Sequence, residues 1–475
     1  MLPIDPDFFF TAPREEIAKL FYELLAKLEA QDAKIKELEA RLNKDSHNSS
    51  KPPSSDGYSK SAPKSLRGKS GKKSGGQPGH PGKTLYFCES PDVIQACEPV
   101  SQCECGCDLE DAPVIDTQKR QVFHIPPQKI VVTEYQASAK RCPGCGKIHR
   151  GVFPTGVDQP VQYGSNIKAY AVYFTQQHFL PLERAAKIMN DLFGASFTEA
   201  SILSAIQIAA SDLKPVVESI KQALIRASLL HVDETGMRVM SKLHWFHSAS
   251  NRALTYYRMH TKRGAIAMDE IGILPYFKGT LLHDFWKPYF KYACEHGLCN
   301  AHLLRELISL EEETGQKWAT QLKKLLLEIK ASVDAAKAKG VETLDDVMLM
   351  DFEDRFLTIV ACGLTENPEA EKSGKRGRVK QTKGRNLALR FDDRAESIYS
   401  FMHNFAVPFD NNLAERDIRM VKVRQKVSGC FRTERGAEDF ATIRSYLSTM
   451  RKQGQNIMLA LRSLFQGAPI LPVFE

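Results

Sequence analysis

Long apolar runs are missing from this chain of 475 residues. None approaches the roughly 18 consecutive apolar residues that a membrane-spanning helix needs, so no membrane is expected. A basic start is missing too: MLPIDPDFFFTAP carries acids but no cation ahead of its short apolar run. That argues against a secretory signal and for a cytoplasmic protein. Cysteine is too sparse for a disulfide scaffold, since 11 thiols are spread over a long chain. In a reducing compartment, clustered cysteines read as metal ligands. Acids are nearly absent from residues 46–83, where eight basic residues face Asp56 alone.

What is present is enough apolar sequence for real cores, at 43%, in a length that suggests about three domains. The net charge of +8 is mild, so its distribution matters more than its total.

Residues 14–43 place Ile17, Phe21, Leu24, Leu28, Gln31, Ile35, Leu38 and Leu42 at alternating spacings of four and three. This is a heptad seam with one polar interruption, and it predicts a coiled coil over 1–45 that joins copies of the chain; the alternative is a helix packed on its own protein. The basic tract that follows, a linker over 46–86, is rich in Ser, Gly, Pro and Lys. It reads either as a tether or as an arm whose Lys72, Lys73 and Lys83 follow a phosphate backbone.

Within 87–155, Cys142 and Cys145 have the C-x-x-C spacing of a zinc knuckle, with Gly146 easing the turn. Upstream, Cys103, Cys105 and Cys107 alternate with single residues. A zinc-ribbon-like module is expected from Cys142 and Cys145 with two of these three, taken as Cys103 and Cys105 with Cys107 as the alternative. Over 156–225 the pattern is helical, and LERAAKIMNDLFGASFTEASILSAIQIAA reads as two helices joined at Gly194, the second capped near Thr198 or Ser201. This resembles a helix-turn-helix unit, although any helical domain can hold such a pair.

From 226 to 290 the period changes to two. SLLHVDETGMRVM, KLHWFHSAS and ALTYYRMH read as successive strands, and GTLLHDFWKPYF, after a helical stretch, as a fourth. Three antiparallel strands, a helix and a strand ending in Asp is the layout of an RNase H-like core. An ionised acid is costly among apolar strand residues unless paired or metal-bound. Asp233 follows Leu229, Leu230 and Val232, and Asp284 follows Leu281 and Leu282. Two such aspartates with a third carboxylate can hold two Mg²⁺ or Mn²⁺ ions about 4 Å apart, suited to in-line attack at phosphorus.

The third acid is sought in PFDNNLAERDIRMVKVRQK, residues 408–426. As a helix, this segment aligns Asn411, Glu415, Arg419, Lys422 and Lys426 on one stripe, with Leu413, Met420 and Val421 on the other side. Glu415 then stands among cations able to hold phosphates, Arg416 included, while Asp410 and Asp417 read as capping or salt-bridge residues. Asn412 is a supporting candidate.

The combination of NSSKPPSSDG, GGQPGHPGK, CPGCG, HVDETG, VPFDNNLAERDIRMVKVRQKVSGCFRTERGA and IRSYLSTMRKQG resembles the insertion-sequence-66 family of bacterial transposases. The resemblance runs from the coiled coil to about residue 455. It implies a DDE-type core over 226–435 with Asp233, Asp284 and Glu415 as its acids, a zinc-binding region ahead of it, a helical insertion over 305–390, and a C-terminal helix and tail over 436–475. It also implies companion proteins from the same element. After the second aspartate the chain carries CNAHLLREL, where many relatives have a Trp-containing His-Arg motif. Cys299 and His302 are a candidate metal-adjacent pair, but His302 is read first as a satisfied packing histidine. Lys287, beside Trp286, and the basic segment 373–385 are candidate DNA contacts.

The expected protein is therefore multidomain α+β, with an RNase H-like mixed core behind a coiled coil, a zinc module and a helical domain. Its expected work is Mg²⁺-dependent cleavage at the inverted ends of its own element and joining of the freed 3′-hydroxyls to target DNA, in a nucleoid-associated oligomer. Two alternatives remain: a nuclease or resolvase of the same fold that does not join strands, and an inactive zinc-containing DNA-binding regulator.

Overall fold

The computed structural model describes residues 12–42, 85–194, 196–370 and 379–474. The tract holding Lys72, Lys73 and Lys83 lies outside them, as does the stretch 373–378 of the basic segment 373–385. The chain divides into two compact units, residues 64–132 and the remainder.

Helix α1 (Arg14–Leu42) covers the predicted heptad segment. Phe21, Leu24, Leu28, Ile35 and Leu38 of its seam are exposed. Short strands β1 (Ala139–Arg141) and β2 (Ile148–Arg150) pair antiparallel around the second cysteine knuckle.

The helical segment contains α2 (Ser165–Val172), α3 (Leu182–Phe193) and α4 (Glu199–Ile225). Helix α3 stops at Gly194, whose φ of 67° costs little without a Cβ. Helix α4 starts where the Thr198 hydroxyl accepts from the Ser201 amide at 3.2 Å. Among the described residues α4 is the one helix long and apolar enough to cross a membrane, which the sequence reading did not anticipate. Its apolar face is occupied within the protein: Ile202, Ile206, Leu213, Val217, Ile220 and Leu224 are buried.

The central sheet has the order β5-β4-β3-β6-β7. Strands β3 (Leu229–Val239), β4 (Lys242–Ser250) and β5 (Thr255–His260) form an antiparallel meander, as expected. After α5 (Ala265–Ile271), β6 (Thr280–His283) returns parallel to β3. Gly279 permits that approach, because a Cβ there would lie 2.4 Å from the Ser228 carbonyl oxygen. The fourth strand is shorter than expected, and Asp284 is the residue just past its end. A fifth strand, β7 (Glu295–Leu298), was not anticipated and pairs parallel to β6. EHGL is too short and too mixed to show a period of two.

Beyond β7 come α6 (Asn300–Thr314), α7 (Lys317–Ala338), α8 (Asp346–Glu366), α9 (Lys383–Asp393) and α10 (Ala395–His403). They bury Trp318, Leu322, Leu326, Phe356 and Phe391 in one cluster with Leu282 and Leu298 of the sheet, so the described part of 305–390 is largely helical and shares a core with β6 and β7. Helix α11 (Asn412–Ser428) then lies against β3 and β4, burying Ala414, Ile418 and Val421. Helix α12 (Glu434–Lys452) closes the far edge of the sheet, and α13 (Ile457–Phe465) follows. The Ser445 and Thr449 hydroxyls of α12 accept the Tyr257 and Thr255 amides of β5 at 2.8 and 3.0 Å. Two donors of an edge strand are thereby satisfied without another chain. The expected boundary at 435 falls inside α12.

Candidate active site and cysteine knuckles

Register alone brings the two aspartates together. In the parallel β3–β6 pair His231 lies opposite Leu282, so Asp233 and Asp284, each two residues further on, reach the same level, Asp233 within β3 and Asp284 just past the end of β6. Neighbouring strands are about 4.8 Å apart, and residues of equal parity share a face. Asp233 Oδ1 accepts the Glu234 amide at 2.8 Å, and Asp284 Oδ1 accepts the Trp286 amide at 3.0 Å.

Asn411 adds the third acid to this pair. Buried at the N-terminal boundary of α11, its side chain meets His231 Nδ1 at 2.9 Å and donates to the Val232 carbonyl at 2.9 Å. The start of α11 is thus fastened to β3 beside Asp233, with Glu415 in the first turn of the helix. Burial, then repulsion from Glu234, Asp284 and Glu415, pushes the Asp233 carboxyl well above its ordinary range. Burial is also the first cause of the upward shifts at Asp284 and Glu415. Repulsion from Asp410 and Asp284 adds to the shift at Glu415 against the pull of Arg305. Burial raises the proton affinity of all three carboxylates, and repulsion adds to it at Asp233 and Glu415; as hard oxygen donors they are of the type that Mg²⁺ or Mn²⁺ takes. Glu415 Oε1 is buried with no hydrogen-bond partner.

His302 requires a correction. Its Nδ1 is buried without a hydrogen-bond partner and lies 3.7 Å from Glu415 Oε1, so it is not a satisfied packing histidine. Burial and then Arg305 depress its pKa to about 4, which favours the neutral ring. Cys299, buried beside it, accepts the Asn411 amide at 3.2 Å. The expected stripe on α11 also needs amendment at Lys422, whose ammonium is engaged by the Gly236 carbonyl of β3. Arg416, Arg419 and Lys426 are exposed, as are Asn412 at the helix start and Lys287 just beyond Asp284. Asp410 Oδ1 accepts the Asn412 amide at 3.1 Å, and Asp417 pairs with Lys452 at 2.7 Å. In the described part of the basic segment, Lys383 is paired with Glu313, and Arg385 donates to the Asn367 carbonyl at 2.9 Å.

Sequence reasoning missed a group beside the aspartates. Glu234 is buried, accepts from the Tyr289 hydroxyl, and pairs with Arg263 at 2.7 Å. The Arg263 guanidinium stands 4.0 Å from the Trp286 ring centroid and 4.9 Å from that of Trp245. A second acid directly after Asp233 in HVDETG was the available signal. Its partners come from loops whose spacing shows no period.

In the second knuckle the Cys142 amide donates to the Lys147 carbonyl and the Gly146 amide to the Cys142 carbonyl, both at 2.9 Å. In the first, the Cys103 amide donates to the Cys107 carbonyl at 2.9 Å and the Gly106 amide to the Cys103 carbonyl at 2.8 Å. Each turn has a glycine of positive φ, Gly146 at 71° and Gly106 at 91°, directly after a cysteine. Backbone amides hold the Cys142 and Cys105 thiols below their ordinary proton affinity, led by those of Cys145 and Cys107 respectively. Thiols so disposed suit a thiolate-binding cation.

An acid-lined sheet end, a helix with exposed cations and two cysteine knuckles accompany family matches that make the chain a DNA-processing enzyme with a zinc-finger module. Residues 160–439 match the transposase IS66 family, and the chain belongs to that family. Residues 101–146 match the zinc-finger binding domain of transposase IS66, which spans both knuckles. Residues 6–85 match a family of unknown function. No curated protein matches the chain.

Proposed function

We propose that this transposase is a DDE enzyme that cleaves the ends of its insertion sequence to free 3′-hydroxyls and joins them to target DNA. The observation that supports the reading is the register that sets Asp233 and Asp284 level on adjacent strands, with Glu415 in the first turn of α11 near enough to add to the repulsion on Asp233. The sheet order, with three antiparallel strands followed by two parallel ones, supports an RNase H-like core. The helices between the second and third acids support the inserted domain.

Asp233, Asp284 and Glu415 would hold Mg²⁺ or Mn²⁺. When bound, such ions lower the pKa of an attacking water or hydroxyl and offset charge on the leaving oxygen. The chain's own residues orient the DNA and fix the acids. Asn411 sets the position of Glu415 relative to Asp233. Arg416, Arg419 and Lys426 present cations toward phosphates from the exposed side of α11. As the carboxylates serve as ligands in both steps, no covalent enzyme intermediate forms.

In each turn a cysteine directly precedes the glycine, Cys105 before Gly106 and Cys145 before Gly146, which supports Cys103 with Cys105 and Cys142 with Cys145 as the zinc-binding cysteine pairs of the two knuckles. The exposed seam of α1 supports self-association through a coiled coil. Action at paired ends is consistent with that, as is a cytoplasmic, nucleoid-associated site of work with companion proteins of the same element.

The test is end cleavage in Mg²⁺ by Asp233→Asn and Asp284→Asn protein. A loss of about a thousandfold or more is expected, the order of removing a principal electrostatic stabiliser. Near-wild-type cleavage by either variant would overturn the assignment. With pre-cleaved ends, the wild-type protein is expected to yield joined product; cutting without joining would identify a nuclease.

A further inference from the structure

One cluster near the acids has chemistry that magnesium does not use. A ligand atom from each of Cys299, His302 and Glu415 lies within 4.8 Å of the other two. The cluster is assembled by sequence-local and long-range contacts together. Cys299 and His302 flank the start of α6, placing thiol and imidazole on adjoining positions. The Asn411 amide, at the start of α11, donates to Cys299 Sγ at 3.2 Å and brings the first turn of that helix against them.

Two facts separate this group from ordinary packing. His302 Nδ1 and Glu415 Oε1 are both buried atoms with no hydrogen-bond partner, although they are 3.7 Å apart. Leaving two such groups unsatisfied is costly, and a shared cation would satisfy both. The side chains are still reachable, at 20% exposure for His302 and 33% for Glu415. Donor type decides the cation: thiolate and imidazole with one carboxylate select zinc-class ions over magnesium. Ligand atoms around tetrahedral zinc stand roughly 3.5 Å apart, given metal–ligand lengths of about 2.0–2.3 Å, so the side chains need close in by only about an ångström. An amide donating to the sulfur is compatible with a bound thiolate.

We propose that Cys299, His302 and Glu415 form a second zinc-class site, separate from the cysteine knuckles and sharing Glu415 with the acidic triad. A zinc ion there withdraws Glu415 from the catalytic set and silences the enzyme. The site rests on the three side chains alone; its inhibitory effect also rests on the reading of Glu415 as a catalytic ligand.

The experiment uses full-length protein equilibrated with buffered zinc, followed by metal analysis. Wild-type protein is expected to hold one zinc more than either Cys299→Ser or His302→Gln. Cobalt provides an independent readout. In a Cys142→Ser/Cys145→Ser background, a thiolate-to-cobalt absorption band is expected and is lost when Cys299→Ser is added. Asp233→Asn protein is expected to keep the extra zinc, so failure of the catalytic reading leaves the site standing. Full zinc content in either single variant, with circular dichroism unchanged, overturns the site. If the site is present, zinc titrated into Mg²⁺-supported cleavage is expected to inhibit at least tenfold; no inhibition at zinc levels that fill it overturns the regulatory role.

Discussion

The two sides of α11 carry the same kinds of charge and use them in opposite ways. On one side Asp417 meets Lys452 at 2.7 Å, each side chain only 13% exposed. Lys452 also donates to the Asn251 and Leu254 carbonyls at 2.8 and 3.2 Å, so its ammonium is fully engaged. On the other side, two residues earlier, Glu415 has a buried oxygen with no hydrogen-bond partner and a proton affinity raised by burial and neighbouring acids. A satisfied carboxylate holds the fold together. An unsatisfied one, kept among other acids, carries an unfavourable energy that a bound proton or metal cation relieves.

The largest effect that sharpens this contrast is on stability. Lys452→Met leaves Asp417 uncompensated in a poorly solvated place, and about 3 kcal/mol of destabilisation is expected in denaturant unfolding. Replacing both partners, as Asp417→Asn/Lys452→Met, should recover much of that loss. A single variant as stable as wild type would remove the structural role of the pair. A smaller effect concerns the exposed cations. Arg416→Gln and Arg419→Gln are each expected to weaken DNA binding on all sequences and reduce the slope of log affinity against log salt by about 0.9. Unchanged slopes would place the DNA on another face of the helix.

Most of the sheet was legible because its strands are long and alternate: β3, β4 and β5 fall within SLLHVDETGMRVM, KLHWFHSAS and ALTYYRMH. β7 was not, since four residues carry too little pattern. Within the site, Asp233 and Asp284 were nameable as costly acids in apolar strands, Glu415 from its place on a helical stripe of cations, and all three as positions of a family pattern. Their supports were not. Lys422 could be assigned to a face of α11, but its carbonyl partner Gly236 lies 186 residues away, and helical spacing is silent on such contacts. His302 looked like packing because an amphipathic helix often buries a histidine; only the geometry across to Glu415 shows its Nδ1 without a partner.

At the centre stands the proposal that Asp233, Asp284 and Glu415, whose proton affinities burial raises despite nearby arginines, bind a divalent cation. The direct measurement is the thermal unfolding midpoint at pH 8 as a function of Mg²⁺, in wild-type, Glu415→Gln and Asp417→Asn proteins. The raised carboxyl pKa values at Asp233, Asp284 and Glu415 mean that the folded state binds more protons than the unfolded one. Without metal, stability therefore falls as pH rises above the ordinary carboxylate range, and Glu415→Gln should melt higher than wild type at pH 8. Added Mg²⁺ should raise the wild-type and Asp417→Asn midpoints, by an amount corresponding to about 2.7 kcal/mol at a hundredfold excess over the dissociation constant. Glu415→Gln should lose most of that response. A wild-type midpoint indifferent to Mg²⁺, or a Glu415→Gln protein that responds as wild type does, would contradict the account.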